Sequence, residues 1–211
     1  MKSSMKKAGA AAVILLGCAI SVNAQKTNKL GFGIRGGLNL ANIVQNGNND
    51  YASEMKPGFN AAVYVEIPLV NGLSVQPELQ FSQKGYKSSG TYLGSPYDYR
   101  ANTNYVEVPL LVKIVPSKNF AIVVGPQLSF LTSTAYKFKT PNAVYENVVD
   151  NENNDLRDNV LGGVAGIEVG VRNLVFSARY SLDFQKNNGD GSSFTPKYKN
   201  QVIGLSIGFR L

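Results

Sequence analysis

Apolar and polar residues alternate at period two in eight stretches of this chain, over 30–40, 59–69, 73–84, 105–115, 120–131, 160–171, 174–184 and 201–211. Such alternation sends successive side chains to opposite faces of an extended strand, whereas an amphipathic helix repeats every three or four residues. In the seventh stretch Leu174, Phe176, Ala178, Tyr180, Leu182 and Phe184 share one face, and Ser177, Arg179, Ser181 and Asp183 share the other. In the eighth, Ile203, Leu205, Ile207, Phe209 and Leu211 stand against Gly204, Ser206, Gly208 and Arg210. Each stretch is 11 or 12 residues long, and a tilted strand crosses a bilayer in about 9–11 residues. Beyond residue 24 no run reaches 18 consecutive apolar residues, so no transmembrane helix is expected.

The connections carry a rhythm of their own. Residues 41–58, 85–104, 132–159 and 185–200 are long links; 70–72, 116–119 and 172–173 are short, and the two kinds alternate without exception. Up-and-down barrels of outer membranes have short turns on one side, long loops on the other, and an even strand count. The short links are Val70-Asn71-Gly72, Pro116-Ser117-Lys118-Asn119 and Arg172-Asn173; Asn-Gly supplies the positive φ of a tight turn, and Asn tolerates it.

Charge settles which face meets what. Arg35, Glu66, Glu78, Lys84, Glu107, Lys113, Glu168, Arg179, Asp183 and Arg210 are the charged residues of the eight stretches, and all lie on the more polar face. A water-soluble barrel would turn its apolar face inward and its charges outward. In a membrane the charges point inward, and burying an unpaired ion costs several kcal/mol. An interior of eight strands is just wide enough for side chains, and five acids against five bases can pair there without net charge. The expectation is an all-β, eight-stranded antiparallel up-and-down transmembrane β-barrel with a closed lumen. Glu78, Glu107 and Glu168 are expected at middle depth, sharing Arg35 and Arg179. The lipid-facing C-terminal strand is expected to present Ile203, Leu205, Ile207, Phe209 and Leu211. Arginine at Leu205 or Ile207 should impair insertion, and arginine at Ser206 should be milder in hydrophobic-energy terms, though crowded. Leu111, Val115, Val123 and Leu131 break the pattern by facing the lumen, and Pro68, Pro77, Pro109 and Pro126 predict bulges or kinks, because each removes a ladder donor.

The chain opens on a different pattern. Lys2, Lys6 and Lys7 precede an apolar run from Ala8 to Ile20, and Val22-Asn23-Ala24 supplies small residues at a cleavage position. Residues 1–24 therefore read as a signal peptide and 25–211 as the exported barrel domain. Leu15-Leu16-Gly17-Cys18 also resembles a lipoprotein box, an alternative to cleavage after Ala24. The whole chain has 21 Lys and Arg against 14 Asp and Glu, a mild excess spread along its length, without the basic cluster that would mark a nucleic-acid groove.

Catalytic candidates are few. The chain has no histidine, and its one cysteine is Cys18 in the leader. That excludes Ser-His-Asp hydrolysis, and with it the usual nitrogen and sulfur ligands of zinc. No catalytic site, metal or cofactor is expected. The acids of the polar face are read as ion-pair partners in a lumen too narrow for a substrate. Asp150-Asn151-Glu152-Asn153-Asn154-Asp155 lacks the glycine and distal glutamate of a calcium loop. Gly31-Phe32-Gly33 lacks a third glycine and lies on a strand. The long links are rich in tyrosine, namely Tyr51, Tyr86, Tyr92, Tyr97, Tyr99, Tyr136, Tyr145 and Tyr198, which suits either an interfacial girdle or a recognition surface.

Several longer runs resemble the outer-membrane β-barrel family of Bacteroidetes-type bacteria, of the kind called PorT-like. They are Gly36-Gly37-Leu38-Asn39-Leu40, Pro57-Gly58-Phe59, Gln76-Pro77-Glu78-Leu79-Gln80-Phe81-Ser82-Gln83-Lys84-Gly85 and Tyr105-Val106-Glu107-Val108-Pro109-Leu110-Leu111-Val112-Lys113, followed by Gly125-Pro126-Gln127-Leu128 and Gly166-Ile167-Glu168. The resemblance implies a barrel in the outer membrane, handled by the barrel-assembly machinery, and for some members a link to protein secretion. Two function classes stand. One is a closed structural or interaction barrel meeting an extracellular or envelope partner through its loops. The other is a small-solute, porin-like channel.

Overall fold

Each of the eight alternating stretches is a strand in the computed structural model, which describes residues 30–45, 53–92, 94–141, 143–150, 156–188 and 198–211. Nine strands are present among these residues: β1 (Gly31–Gln45), β2 (Lys56–Val70), β3 (Leu73–Tyr92), β4 (Ser95–Ser117), β5 (Phe120–Thr140), β6 (Ala143–Asp150), β7 (Asn159–Val171), β8 (Leu174–Asp183) and β9 (Tyr198–Arg210). Eight of them close into a ring. β1 pairs with both β2 and β9, and β4 pairs with β5, so that sheet edges meet. The ninth, β6, pairs only with the far half of β5, while the near half pairs with β7. The leader, Cys18, Tyr51 and residues 151–155 lie outside the described residues.

The register gives the ring its tilt. From Arg35 one path runs through Ala62, Gln80, Glu107 and Ser129 to Val160 of β7. The opposite path runs through Gly208 and Val175 to Gly170 of the same strand. The two ends are offset by ten residues. At about 3.3 Å per residue, spread over eight strands about 4.8 Å apart, that offset tilts the strands by roughly 40°. A barrel of this size has room inside for side chains and little else.

Sidedness follows the expected parity. Phe32, Ile34, Leu38, Val63, Leu79, Val124, Ile167 and Phe176 are exposed on the outer surface. The inner face holds Arg35, Asn39, Asn60, Glu78, Ser82, Lys84 and Glu107, all buried. Leu111, Val123 and Val164 form a small apolar cluster inside the wall, and Tyr105, Leu131 and Leu156 form another nearer the long-loop end. Val115 is half-buried.

Three differences from the sequence reading stand out. First, 85–104 is not a loop: β3 and β4 stay paired from Gly85↔Asn102 to Tyr92↔Ser95. The link 132–159 likewise contains the rest of β5 and all of β6. In β3, β4 and β5 these extensions carry tyrosine, serine and threonine with no apolar face, and in β6 Val144 and Val148 share a face with Glu146, so no period-two apolar signal marks them; cross-strand aromatic pairs hold the wall instead. Second, only Pro68 coincides with a shift in register. Pro77, Pro109 and Pro126 sit in an unshifted register, each leaving a two-pair gap in one ladder while the pairing resumes beyond it in the same register. Third, further register shifts lie between Asn104 and Tyr105, where Thr132 turns its hydroxyl to the Asn104 carbonyl at 2.9 Å, and between Ile114 and Ser117.

The short turns behave unequally. Gly72 has φ 79° without strain, whereas Arg172 has φ 56° in the turn before β8. An L-residue with a side chain pays roughly 1–2 kcal/mol for the left-handed region. Arg172→Gly is therefore expected to stabilise the barrel by up to about 1 kcal/mol, read as a higher urea midpoint of the refolded protein in lipid. A lower midpoint would mean that Arg172 makes a compensating contact. Gly33 is a different case. It lies directly across from Tyr64, and a Cβ built there would stand 2.2 Å from the tyrosine ring. The ring lies over the glycine and covers backbone that a side chain would otherwise cover.

Candidate functional site

The lumen concentrates the chemistry of this chain. Glu78 of β3 is its hub, with a fully buried carboxylate. It accepts from Arg35 at 2.6 Å and 3.3 Å, from Arg179 at 2.9 Å and 3.0 Å, and from Gln76 at 2.8 Å. Arg179 continues to Glu168 at 2.6 Å, Glu168 to Lys113 at 3.0 Å, and Lys113 to Glu66 at 2.9 Å. Arg210 ends this line 3.7 Å from Glu66, with its side chain 44 % exposed. It belongs to the rim at the short-turn end, not to the interior, because it is the last residue of β9.

A second group lies toward the long-loop end. Lys84, nearly wholly buried, reaches Glu107 at 2.8 Å and Asp183 at 3.0 Å, and lies 4.9 Å from the centre of the Tyr105 ring. Asp183 also accepts from the Asn200 amide at 2.7 Å. The first group has four cations and three anions, and the second has two anions and one cation. Each is unbalanced alone and neutral together with the other. Gln80 joins them, accepting from Arg35 at 2.5 Å and donating to Glu107 at 2.8 Å.

The structure thus places all ten charges of the alternating stretches in one connected system, but with a different pairing from the one expected. Glu78 and Glu168 do share Arg179. Glu107 shares neither arginine; its cation is Lys84. The reason is register: Glu107 stands across from Gln80, while Arg35 reaches Glu78 from two strands away and Arg179 from the opposite side of the ring. The neutral members, Gln76, Gln80, Gln127 and Ser129, were not singled out from sequence. Gln127 and Ser129 donate to Glu107 at 2.9 Å and 3.1 Å. Their signal was parity, since they fall on the polar positions of the same stretches.

This arrangement fills the bore. A cavity of about 30 Å³ lies between the two groups, lined by Arg35, Asn39, Asn60, Gln80, Gln127 and Arg179 among others. That is room for one or two waters and for no organic substrate. Outside, Ile203, Leu205, Ile207, Phe209 and Leu211 are 39, 54, 56, 44 and 74 % exposed, on the face that an apolar solvent would cover.

Beyond the ring, β3, β4, β5 and β6 continue as a four-stranded wall. On the face continuing the lumen, Tyr97 stacks on Phe138 with centres 5.9 Å apart, and Tyr99 on Tyr136 at 6.3 Å. Tyr86 contacts Tyr99 and the buried Tyr198. Of the tyrosines singled out from sequence, Tyr86, Tyr99, Tyr136 and Tyr198 therefore cap the bore, and Tyr145 faces solvent. Charges dominate the other face. Glu54 accepts from Ser89 and from Lys87, and Asp98 from Arg100 at 2.8 Å. The Ser89 hydroxyl and then Lys87 hold the Glu54 carboxyl below its usual range, and Arg100 does the same for Asp98. Both contributions are complete above the ordinary carboxylate pKa of about 4 and are lost as pH falls through the depressed folded values. The protection factors of the Lys87 and Ser89 amides, which remove the intrinsic pH dependence of exchange, are thus expected to be flat from neutrality to about pH 5 and to fall below about pH 4; a fall already near pH 6 would assign the protection to other groups.

The profile of the family described as "Outer membrane protein beta-barrel domain" matches residues 23–187. No curated protein matches the sequence. Solved structures similar to this chain include Ail, the attachment invasion locus protein of Yersinia pestis, at 15 % identity, 87 % of this chain, 100 % of that one and a TM-score of 0.48. Neisserial surface protein A is similar at 10 % identity, 86 % and 99 % coverage and a TM-score of 0.48. OprG from Pseudomonas aeruginosa is similar at 14 % identity, 86 % and 95 % coverage and a TM-score of 0.42.

Proposed function

This chain belongs to the outer membrane protein β-barrel domain family and lies in the outer membrane, and from that premise we propose that it is a non-conducting, non-catalytic barrel working through its extracellular wall. The observation that carries the reading is the Arg35–Glu78–Arg179–Glu168–Lys113 line across a bore already filled by side chains. An ion would have to break several buried charge-assisted contacts to pass, each stronger than its counterpart in water. Among the described residues, no group in the lumen has both an unpaired nucleophile and room for a substrate beside it.

The finer assignment follows the sequence. Residues 1–24 direct export and are removed, leaving 25–211 for the barrel-assembly machinery to insert with the long-loop wall outside. The runs from Gln76 to Gly85 and from Tyr105 to Lys113 support a PorT-like, Bacteroidetes-type placing. Their charged and neutral polar members, Gln76, Glu78, Gln80, Lys84, Glu107 and Lys113, are the lumen residues themselves.

Planar-bilayer recording of the refolded protein tests the proposal. The expected trace shows no stable openings from neutral pH to pH 5. Steady unitary conductance at neutral pH would overturn the closed barrel and install the small-solute channel in its place.

A further inference from the structure

We propose that the inner face of the extracellular wall is a stacking platform for a neutral, unbranched oligosaccharide. This rests on the reading that the wall is the working surface, and it gives that surface a ligand class.

Register sorts the side chains of the wall onto two faces of different chemistry. Lys87, Arg100, Lys137 and Glu146 stand opposite one another across the four strands, and Asp98 stands opposite Lys139. These share the outer face. On the inner face Tyr99, Phe138 and Tyr145 form one row, and Tyr86, Ala101, Tyr136 and Asn147 form the next. Among the described residues of β3 to β6, no charged side chain lies on the inner face beyond Lys84.

The rings are laid to be contacted from that side. Tyr97 and Phe138 are inclined by 20° with centres 5.9 Å apart, and Tyr99 and Tyr136 by 22° at 6.3 Å. Nearly parallel rings at such separations are displaced sideways, because face-to-face contact would bring them to roughly 4 Å. Each therefore leaves part of a face uncovered by its partner. Tyr97 also lies over Gly90, where a Cβ would stand 2.9 Å from the ring, so one side of it is seated on backbone. Phe138 and Tyr145 are 38 and 67 % exposed, and Tyr97, Tyr99 and Tyr136 are half-buried.

That chemistry selects a sugar. The C–H face of a pyranose is apolar and weakly positive, which complements the negative face of an aromatic ring. The hydroxyls around the sugar's edge need neutral donors and acceptors. Tyrosine hydroxyls, Ser88 and Asn147 supply them on this face. Tyrosine also gives contact area at low cost in side-chain entropy. A charged polymer would be drawn to the outer face instead, where Lys87, Arg100 and Lys137 make their ion pairs.

Saturation-transfer NMR and calorimetry of the full barrel in lipid nanodiscs test it, with cellohexaose, chitohexaose and maltohexaose as neutral probes and sulfated cellohexaose as comparator. At least one neutral hexasaccharide is expected to bind, with transfer strongest at the C–H protons that share one face of the sugar ring. Phe138→Ala and Tyr145→Ala should each weaken it at least about fivefold, and Lys137→Gln, on the opposite face, should leave it unchanged. Equal affinity in wild type and both aromatic variants overturns the proposal, as does failure of all three neutral probes to bind at millimolar concentration. Tighter binding of the sulfated probe, lost with Lys137→Gln, would assign the ligand to the charged outer face and overturn it too. Self-association abolished by Tyr145→Ala, with no sugar bound, would replace the sugar by a second copy. Heat-modifiable mobility confirms that each variant keeps the barrel, and Tyr145→Ala, the more exposed site, carries the test should Phe138→Ala disturb the wall. Bilayer conductance reads the closed-barrel proposal independently of every one of these outcomes.

Discussion

Glu78→Gln is expected to destabilise the barrel by about 3–5 kcal/mol, the cost of breaking a buried ion pair from one side. The effect is large because, among the described residues, Glu78 is the only acid that Arg35 contacts as an ion pair, and it is one of two for Arg179. Its loss leaves two buried guanidinium groups facing a neutral amide. Glu107→Gln should cost less, since Lys84 keeps Asp183 at 3.0 Å. Urea unfolding in lipid, followed by heat-modifiable mobility, reads both. Adding Arg35→Met to Glu78→Gln should recover part of the loss, because the orphaned cation goes with its partner. Strict additivity in that cycle would mean that the charges are hydrated side by side, and the bore would then be wet.

Leu205→Arg is the second large effect. Leu205 is 54 % exposed on the outer face and five residues from Arg210 at the short-turn end. At roughly 3.3 Å per residue and the tilt derived above, it lies about 12 Å above that rim, the middle of an apolar band about 25 Å tall. Arginine at such a depth costs about 2–4 kcal/mol in a transmembrane barrel. At Ile207, nearer the rim, the longer side chain can carry its charge toward the interface, so the cost should be smaller. Folding yield into lipid vesicles measures it, with Leu205→Phe as the control for shape. A Leu205→Arg barrel that inserts as efficiently as that control would place the residue off the lipid face. Ser206→Arg is a crowded comparator, as the sequence reading expects. Ser206 lines the same cavity as Arg35 and Arg179, so a third guanidinium there would meet two others.

Both effects show where sequence reading succeeds and where it stops. Parity alone placed Leu205 outside and Glu78 inside, because a strand has only two faces and a membrane barrel assigns one to lipid. Parity could not say that Glu78 is the hub while Glu107 belongs to Lys84. Those partners are separated by 43 residues for Arg35 and Glu78 and by 101 for Arg179 and Glu78, and they meet only once the ring closes with its ten-residue offset. The prolines illustrate the same limit. A missing donor suggests a bulge in isolation, yet Pro77 and Pro126 are absorbed by neighbours whose register does not move.

The extracellular wall was the least legible part. Its strands carry no apolar stripe, so Tyr86, Tyr97, Tyr99 and Tyr136 look like loop residues until cross-strand stacking aligns them. β6 was not legible either, because Glu146 stands between Val144 and Val148 on one face.

By itself the sequence determined the strand count of the ring, its sidedness, the side on which its turns are short and the apolar residues of its outer surface. Each of these depends on local alternation and on the cost of placing charge in hydrocarbon, which no tertiary contact can reverse. The pairing of the ten charges, the balance of +1 against −1 between their two groups, and the capping of the bore by tyrosines were decided only by the closed structure. Those features depend on the offset at which the first strand meets the last, a long-range quantity that no run of neighbouring residues encodes.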